Sequence, residues 1–293
     1  MESARLEDWI GRSETRHDIV TAAPVQAMRA TLDQPAGEVG PGTPLPPFWH
    51  WLYFLPVTRA SELGEDGHAR RGGFLPPVTL PRRMWAGGQL EFHEPLRVGD
   101  RVARTSTIDD VRRKDGRSGA LVFVKVRHEL RCNGSQVPAV VEFQDIVYRE
   151  AQRPGDRSPE PQPAPGGEPG GVVWRREIVP DPVLLFRYSA LTFNGHRIHY
   201  DRSYVTGVEG YPGLIVHGPL IATLLLDLVH RERPDADVAA FSFRAVRPVF
   251  DLHPFSVNGA PQSGQLPGDR KTVRLWAADH EGWLAMEASA ALR

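Results

Sequence analysis

The chain has 293 residues, of which 41% are hydrophobic and 24% are charged, a composition typical of globular proteins. Its formal net charge of −1 argues against a nucleic-acid partner held by bulk electrostatics, and its single cysteine, Cys132, excludes an internal disulfide framework. No apolar run reaches membrane-spanning length and the N-terminus is polar, so we expect a cytoplasmic protein with no membrane partner.

The first part of the sequence predicts one helix followed by strands. Residues 23–34 place Val25, Met28 and Leu32 on one face of a helix. Several of the later runs end in turn residues, as expected for hairpins, and they span residues 87–96, 101–116, 119–134 and 137–150. The aromatic segment 48–54 (FWHWLYF) is expected to form core and part of a pocket wall.

A Pro- and Gly-rich segment, residues 151–171, lacks large apolar residues and is interpreted as an extended linker. It divides the chain into an N-terminal unit, residues 1–150, and a C-terminal unit, residues 172–293.

The C-terminal unit repeats this order of elements. Helices are predicted at 182–192 and 214–231, and the second is apolar almost all round, so it needs cover from a sheet. Strand-like runs are found at residues 172–179, 237–250, 255–260, 271–279 and 283–292. We therefore predict an α+β fold, a duplicated helix-on-sheet unit with a cleft between its halves for an elongated ligand.

Polar residues with chemical potential crowd two segments, 186–201 (FRYSALTFNGHRIHYD) and 209–220 (EGYPGLIVHGPL). Taken alone, His199 is more often structural than catalytic in such a turn. Asn194 follows a helix, where asparagine can cap by adopting left-handed geometry. Gly218 stands where the apolar helix begins, and free amides there suit an oxyanion.

Residues 188–220 resemble the hydratase motif of the MaoC-like hotdog family, and residues 46–56 and 87–100 are similar to the N-terminal half of its double-hotdog members. The similar subgroup is the 3-methylfumaryl-CoA (mesaconyl-C4-CoA) hydratase type. The resemblance implies a double hotdog, in which antiparallel sheet wraps helices, and an (R)-specific enoyl-thioester hydratase or dehydratase activity.

The resemblance also implies roles for three catalytic residues. His199 matches the family histidine and would act as base and returning acid. Asn194 stands where the family usually has Asp and can only orient water or hold the imidazole, because an amide is not a base. The Gly218 amide would stabilise the oxyanion.

Five further residues are candidates for substrate binding. Arg187 and Arg197 can each bind a carboxylate or the phosphates of CoA. His196 is a similar candidate, Tyr200 is expected to line the pocket, and His217 is expected to pack beside the reacting groups.

We expect reversible hydration of a short acyl-CoA such as 3-methylfumaryl-CoA, without metal or redox cofactor, by a homodimer. Alternatives are a dehydratase acting on a 3-hydroxyacyl carrier protein, a hotdog thioesterase, and a non-catalytic acyl-thioester-binding protein, which the missing Asp would favour. A zinc site of His196, His199, Asp201 and His217 lacks any supporting motif, and no G-x-S-x-G indicates a serine hydrolase.

Overall fold

The computed structural model describes residues 5–116, 119–150, 160–165, 174–261 and 271–293. The strands are β1 (Ser13–Ile19), β2 (Arg82–Phe92), β3 (Arg101–Gly116), β4 (Gly119–Cys132), β5 (Val140–Arg149), β6 (Trp174–Ile178), β7 (Val238–Ala245), β8 (Phe255–Pro261), β9 (Lys271–Ala278) and β10 (Leu284–Leu292). The α-helices are α1 (Ala22–Thr31), α2 (Pro182–Thr192), α3 (Arg202–Gly207) and α4 (Gly218–Glu232).

One antiparallel sheet of ten strands contains two copies of the same strand arrangement. Its order is β1-β3-β4-β5-β2-β7-β10-β9-β8-β6, so the order of the first five strands recurs, reversed in direction across the sheet, in the second five. The halves join through β2 and β7, paired from Gly87 with Arg244 to Glu91 with Ala240. The predicted α+β duplication is confirmed.

The sequence did not predict strand β1. Its residues, SETRHDI, show no apolar alternation because β1 is an end strand that pairs only with β3 and is largely exposed. The N-terminal unit therefore begins its sheet with β1, ahead of α1, just as the C-terminal unit begins with β6 ahead of α2.

Helix α4 is the apolar helix that the second-half sheet covers. Ten of its residues, from Leu220 to Val229, are buried, and α4 packs against β6, β8, β9 and β10. The helix begins four residues later than the predicted start at 214, because Ile215 and Val216 pair in extended form with Phe250 and Val249. This extended approach brings His217 to the N-cap of α4.

Helix α1 is shorter and packs on α2 and on the turn Trp49–Leu52. It therefore leaves inward-facing residues of β3, β4 and β5 free to line a cavity. None of the described helices is long and apolar enough to cross a membrane.

The predicted linker is described only at residues 160–165. There Ala164 donates a backbone hydrogen bond to Gly282, and Leu284 donates one to Gln162, so this segment lies along the turn before β10. The remainder of the linker, 151–159 and 166–171, is outside the described residues.

Candidate active site

Three histidines meet where the loop between α2 and α3 approaches the start of α4. His199 ends a short 3₁₀ turn, Arg197–His199, and its ring stacks on that of His217 with centroids 3.7 Å apart. The ring of His196 stands perpendicular to that of His199, with centroids 5.5 Å apart. Two segments about twenty residues apart in sequence thus build one imidazole cluster.

The hydrogen bonding of His199 defines its tautomer. Its Nδ1 lies 2.7 Å from the carbonyl oxygen of Ile215, which can only accept, so Nδ1 carries the proton. Within the described residues Nε2 has no hydrogen-bond partner, and its lone pair can accept a proton. Burial lowers the pKa of His199 to about 4, although the bond to Ile215 opposes that effect. His199 is therefore a neutral base at neutral pH.

His217 lies behind His199 and is fully buried. Its Nε2 is 2.8 Å from the hydroxyl oxygen of Ser189, while its Nδ1 has no partner in the described part of the chain. Burial lowers the pKa of His217 well below the usual value for histidine, and the neighbouring His199 adds to this effect. The ring of His217 contacts the rings of His199 and Tyr188, and of these three residues only Tyr188 lines the cavity described below.

Asn194 does not take the left-handed position expected of it. Helix α2 ends at Thr192, and Phe193 is the left-handed residue with φ of 49°. The chain must turn at once after Thr192, so the cap falls one residue earlier than predicted. The side-chain oxygen of Asn194 accepts instead from the backbone N–H of His196 at 3.0 Å, which leaves its amide nitrogen available to a ligand.

Gly218 is the first residue of α4. Its backbone N–H has no acceptor among the described residues, and Pro219, which follows, has no N–H to compete for the same acceptor. A Cβ on Gly218 would meet no atom within 4 Å, and the next residue, Pro219, lines the cavity described below. The amide and the helix dipole together suit a developing negative charge.

A cavity of about 1020 Å³ lies between the two halves. The second half contributes Asn194, Tyr200 and Pro219, and the aromatic segment contributes Trp51 and Phe54. His196, His199 and Gly218 are not among the lining residues of the described chain, against the expectation for His196; each is the sequence neighbour of one that is, Gly195, Tyr200 and Pro219 respectively. The expected cleft, with part of the aromatic segment in its wall, is therefore present.

A loop of the first half, residues 64–68, contacts the loop that carries His196 and His199. Asp66 accepts a backbone hydrogen bond of 2.9 Å from Arg197, and Glu65 accepts one of 3.0 Å from the Arg197 side chain. Gly67, with φ of +87°, approaches Gly195 so closely that a Cβ on Gly67 would lie 1.9 Å from the Gly195 carbonyl oxygen. The sequence did not predict this contact, because no pattern within residues 64–68 (GEDGH) indicates that they pack on a segment about 130 residues later in the chain.

The same loop brings together one group of potential metal ligands. Ligand atoms of Asp66, His68 and His196 lie within 4.8 Å of one another. Burial lowers the pKa of both histidines, that of His196 to about 2, so both rings are neutral and able to bind a cation. The guanidinium of Arg83, whose charge acts on both rings, opposes a cation there.

The zinc set considered from the sequence is not assembled. Asp201 caps α3 through the backbone N–H of Tyr204 and pairs with Arg197 at 2.7 Å, while His217 faces Ser189 and His199. These contacts occupy the side chains that the zinc set would need.

The two arginines proposed for substrate binding lie off the cavity wall. Arg197 donates two hydrogen bonds to Asp201 and lies over the ring of Tyr204 at 4.1 Å. Arg187 is exposed on α2. Neither belongs to the cavity lining, whereas Tyr200 does and donates to the Gly195 carbonyl at 3.0 Å.

Comparison with known proteins places this geometry in a family. The family model described as hydroxyacyl-thioester dehydratase type 2 matches residues 48–251, from the aromatic segment to the turn that follows β7. The chain is also 46% identical to the mesaconyl-C(4)-CoA hydratase of Chloroflexus aurantiacus, over 100% of this chain and 99% of that protein. The chain belongs to the hydroxyacyl-thioester dehydratase type 2 family.

Solved structures agree with the fold of this hydroxyacyl-thioester dehydratase family member. A protein described as a MaoC-like dehydratase superposes with a TM-score of 0.70 at 15% identity, covering 99% of both chains. A Mycobacterium tuberculosis protein described as having a double hotdog fold superposes with a TM-score of 0.61 at 15% identity, covering 97% of this chain and 96% of that one. The predicted double hotdog is confirmed.

Proposed function

We propose that the protein is a hydro-lyase that reversibly adds water across the double bond of an enoyl thioester. Membership of the dehydratase family and the identity to a mesaconyl-C(4)-CoA hydratase support this proposal. The observation that carries it is the bond from Nδ1 of His199 to the Ile215 carbonyl, which leaves a neutral imidazole with its Nε2 lone pair available.

In the hydration direction, Nε2 of His199 removes a proton from water as the water oxygen bonds to the β-carbon. The amide nitrogen of Asn194 orients that water. The electron pair of the double bond moves towards the thioester oxygen, which gains enolate character and is stabilised by the N–H of Gly218. The imidazolium of His199 then returns its proton to the α-carbon, so hydroxyl and hydrogen are both added and the enzyme is restored.

The preferred substrate in this proposal is a short dicarboxylic acyl-CoA of the 3-methylfumaryl type. The name of the Chloroflexus relative supports this class, and so do the polar side chains that line the cavity. A second candidate is a 3-hydroxyacyl carrier protein thioester, favoured by the description of the family model. The chemistry needs only proton transfer and oxyanion stabilisation, so we propose no metal or redox cofactor for it.

We further propose a division of labour between the units. Residues 172–293 would carry His199, Asn194 and Gly218, and residues 1–150 would supply the opposite cavity wall, joined by the segment 151–171. The homodimer and the cytoplasmic location expected from the sequence stay predictions.

The test is the ultraviolet loss of enoyl-thioester absorbance with crotonyl-CoA and 3-methylfumaryl-CoA, for wild type and His199→Ala. Loss that disappears in the variant supports the hydratase. A folded wild type silent on both CoA esters but active on the carrier-bound thioester supports the second candidate. Thioester binding without turnover on any substrate, unchanged in His199→Ala, points to the binding protein and overturns the proposal.

A further inference from the structure

Arg104 is a cationic side chain on the cavity wall, on strand β3 of the first half. Its neighbours at alternate positions, Val102, Ser106 and Ile108, are buried, so Arg104 occupies an inward-facing position of the strand. Its Nε is buried without a hydrogen-bond partner, and within the described residues its guanidinium forms no ion pair. Such an unsatisfied N–H is costly unless a ligand fills it.

The other arginines of the cavity wall are already held. Each interacts with a protein group: Arg16 pairs with Glu14 at 3.0 Å, Arg70 donates to the Leu63 carbonyl at 3.2 Å, Arg71 donates to the carbonyls of Val78 and Pro81, and the guanidinium of Arg83 acts on the Tyr148 hydroxyl, whose pKa is raised by burial and lowered in part by Arg83. Arg104 differs from all of them in this respect.

The acids whose charges reach Arg104 are also engaged elsewhere. Asp18 accepts the backbone N–H groups of Ile19 and Phe54, at 2.8 and 2.7 Å. Glu14 pairs with Arg16. These two carboxylates are therefore not free to move onto the guanidinium without giving up their own partners.

Glu142 is the buried anion beneath this wall. Burial alone would raise its pKa, but the hydrogen bond from His50 and the charges nearby lower it to about 2. Both of its oxygens are occupied, by His50 at 2.9 Å, Trp51 at 3.0 Å and Gln144 at 2.8 Å. Burial lowers the pKa of Arg104, and the charge of Glu142 opposes that effect from a distance without occupying the N–H groups of the guanidinium.

The surroundings of Arg104 can complete an anion site. His128, diagonal to Arg104 across the β3–β4 pair, has a buried Nε2 without a partner, and its Nδ1 lies 2.8 Å from the Ser106 hydroxyl. When that hydroxyl donates to Nδ1, Nε2 carries a proton that can be donated into the cavity. The ring of Phe54 supports the guanidinium from one side at 4.8 Å.

We propose that Arg104 binds the carboxylate at the far end of a dicarboxylic acyl thioester and selects such acyl groups over uncharged ones. The planar guanidinium matches a carboxylate with two parallel hydrogen bonds. Arg104 lines the cavity from the first half and Asn194 lines it from the second, so the acyl group would lie across the cavity between them. This inference rests on the proposed function, because it assigns the substrate class of the same site.

The test is binding of two saturated thioesters that cannot be hydrated, methylsuccinyl-CoA and butyryl-CoA, measured by calorimetry. We expect wild type to prefer methylsuccinyl-CoA, and Arg104→Gln to lose at least ~10-fold of that preference. Arg104→Lys keeps the charge but not the two parallel N–H donors, so it should lose less of the preference for methylsuccinyl-CoA. Added guanidinium ion should restore part of the preference that Arg104→Gln loses. Circular dichroism checks that both variants are folded.

The matched control is Arg70→Gln, which removes the same charge from an exposed position of the same cavity wall. Its preference should stay within about twofold of wild type, because an exposed charge is screened. Equal preference for the two thioesters in wild type, or an unchanged preference in Arg104→Gln, would overturn the proposal.

The phosphates of CoA are the other anion that Arg104 could meet. The same measurements with pantetheine thioesters, which lack the nucleotide, separate the two sources. If Arg104→Gln also loses the preference with the pantetheine thioesters, the acyl carboxylate is the ligand of Arg104. If Arg104→Gln weakens the binding of both CoA esters equally and does not weaken that of the pantetheine thioesters, the proposal is overturned. Because binding is measured without turnover, a wild type that is inactive as a hydratase would refute the proposed function but would still allow the binding preference to be measured.

Discussion

The ring of His199 lies on that of His217, with centroids 3.7 Å apart and planes 19° from parallel. Two imidazolium ions cannot share this arrangement, since burial and mutual repulsion both disfavour charge. His199 can therefore gain a proton only while His217 stays neutral, as its burial keeps it. In the proposed mechanism the pair therefore combines a base, His199, with a neutral ring that packs against it.

Replacement of His199 tests the base directly. We expect His199→Ala to lower kcat at least ~100-fold, the usual contribution of a general base, while the circular dichroism spectrum stays that of wild type. The control is His280→Ala, which removes an exposed ring stacked on His253 at 3.9 Å, far from the chemistry in sequence and in sheet position. Equal kcat in wild type and His199→Ala would refute the assignment.

The pH dependence of the reaction should report the lowered pKa of His199. The base must be neutral, and its pKa is about 4, so kcat/KM should stay level as the pH falls from 8 to about 5. An unperturbed histidine would instead halve the rate near ~6.5. Initial rates are read at each pH after a check that the protein is still folded. An acid limb centred near the unperturbed value contradicts the burial argument.

Stability should fall with acid for the same reason. The folded-state pKa values of His196 and His199, about 2 and about 4, lie below the unfolded value of 6.5. Between those values the unfolded chain binds more protons, so stability is complete above the unfolded pKa and is lost as the pH falls. Each such histidine contributes up to about 1.4 kcal/mol per pH unit in this window. We expect Tm to drop between pH 7 and pH 5, and less so in His196→Asn; a flat Tm would count against buried neutral rings.

A buried carboxylate on α4 ties that helix to both halves. Asp227 accepts from Arg176 and Arg231, each at 2.7 Å, and from Gln34 at 2.6 Å. Asp227→Ala leaves two arginines without their anion, and we expect the free energy of unfolding to fall by about 3 kcal/mol. Asp237→Ala, which breaks the exposed pair with Arg293, should cost less than about 1 kcal/mol. Denaturant unfolding measures both, and equal losses would show that burial adds nothing here.

Local sequence patterns predicted the helices and strands that have one buried face along their length. Helix α2 has the predicted bounds because Asp181 caps its first turn, Pro182 starts it and Phe193 can leave it in left-handed form. Strand β1 escaped prediction because pairing with β3 alone sets its conformation, and an exposed end strand needs no apolar face. Sequence therefore predicts an element best where one of its faces is buried.

The same distinction separates the parts of the site. His199, Asn194 and Gly218 lie in one motif, so their resemblance to a family was visible before any contact was known. Arg104 carries a weaker signal, an arginine at an inward-facing position of an alternating strand, and its lack of a partner depends on residues from other strands. Arg187, which looked similar in sequence, is exposed, because the face of α2 that is buried carries Leu185 and Tyr188 instead.

The contact between Gly67 and Gly195 gives a test of how the first half serves the catalytic loop. A Cβ on Gly67 would lie 1.9 Å from the Gly195 carbonyl oxygen, a backbone atom that can move only with the loop carrying His199. A displacement near 1 Å there can cost about 100-fold in rate, so we expect Gly67→Ala to lower kcat by that order. Gly210→Ala is the control, since Gly210 has a similar φ of +73° but open space around its Cβ position. It should lower Tm through backbone strain without a comparable loss of kcat. If Gly67→Ala and Gly210→Ala lower kcat equally, backbone strain accounts for the loss and displacement of the loop carrying His199 does not. The first half would then contribute a cavity wall without holding that loop.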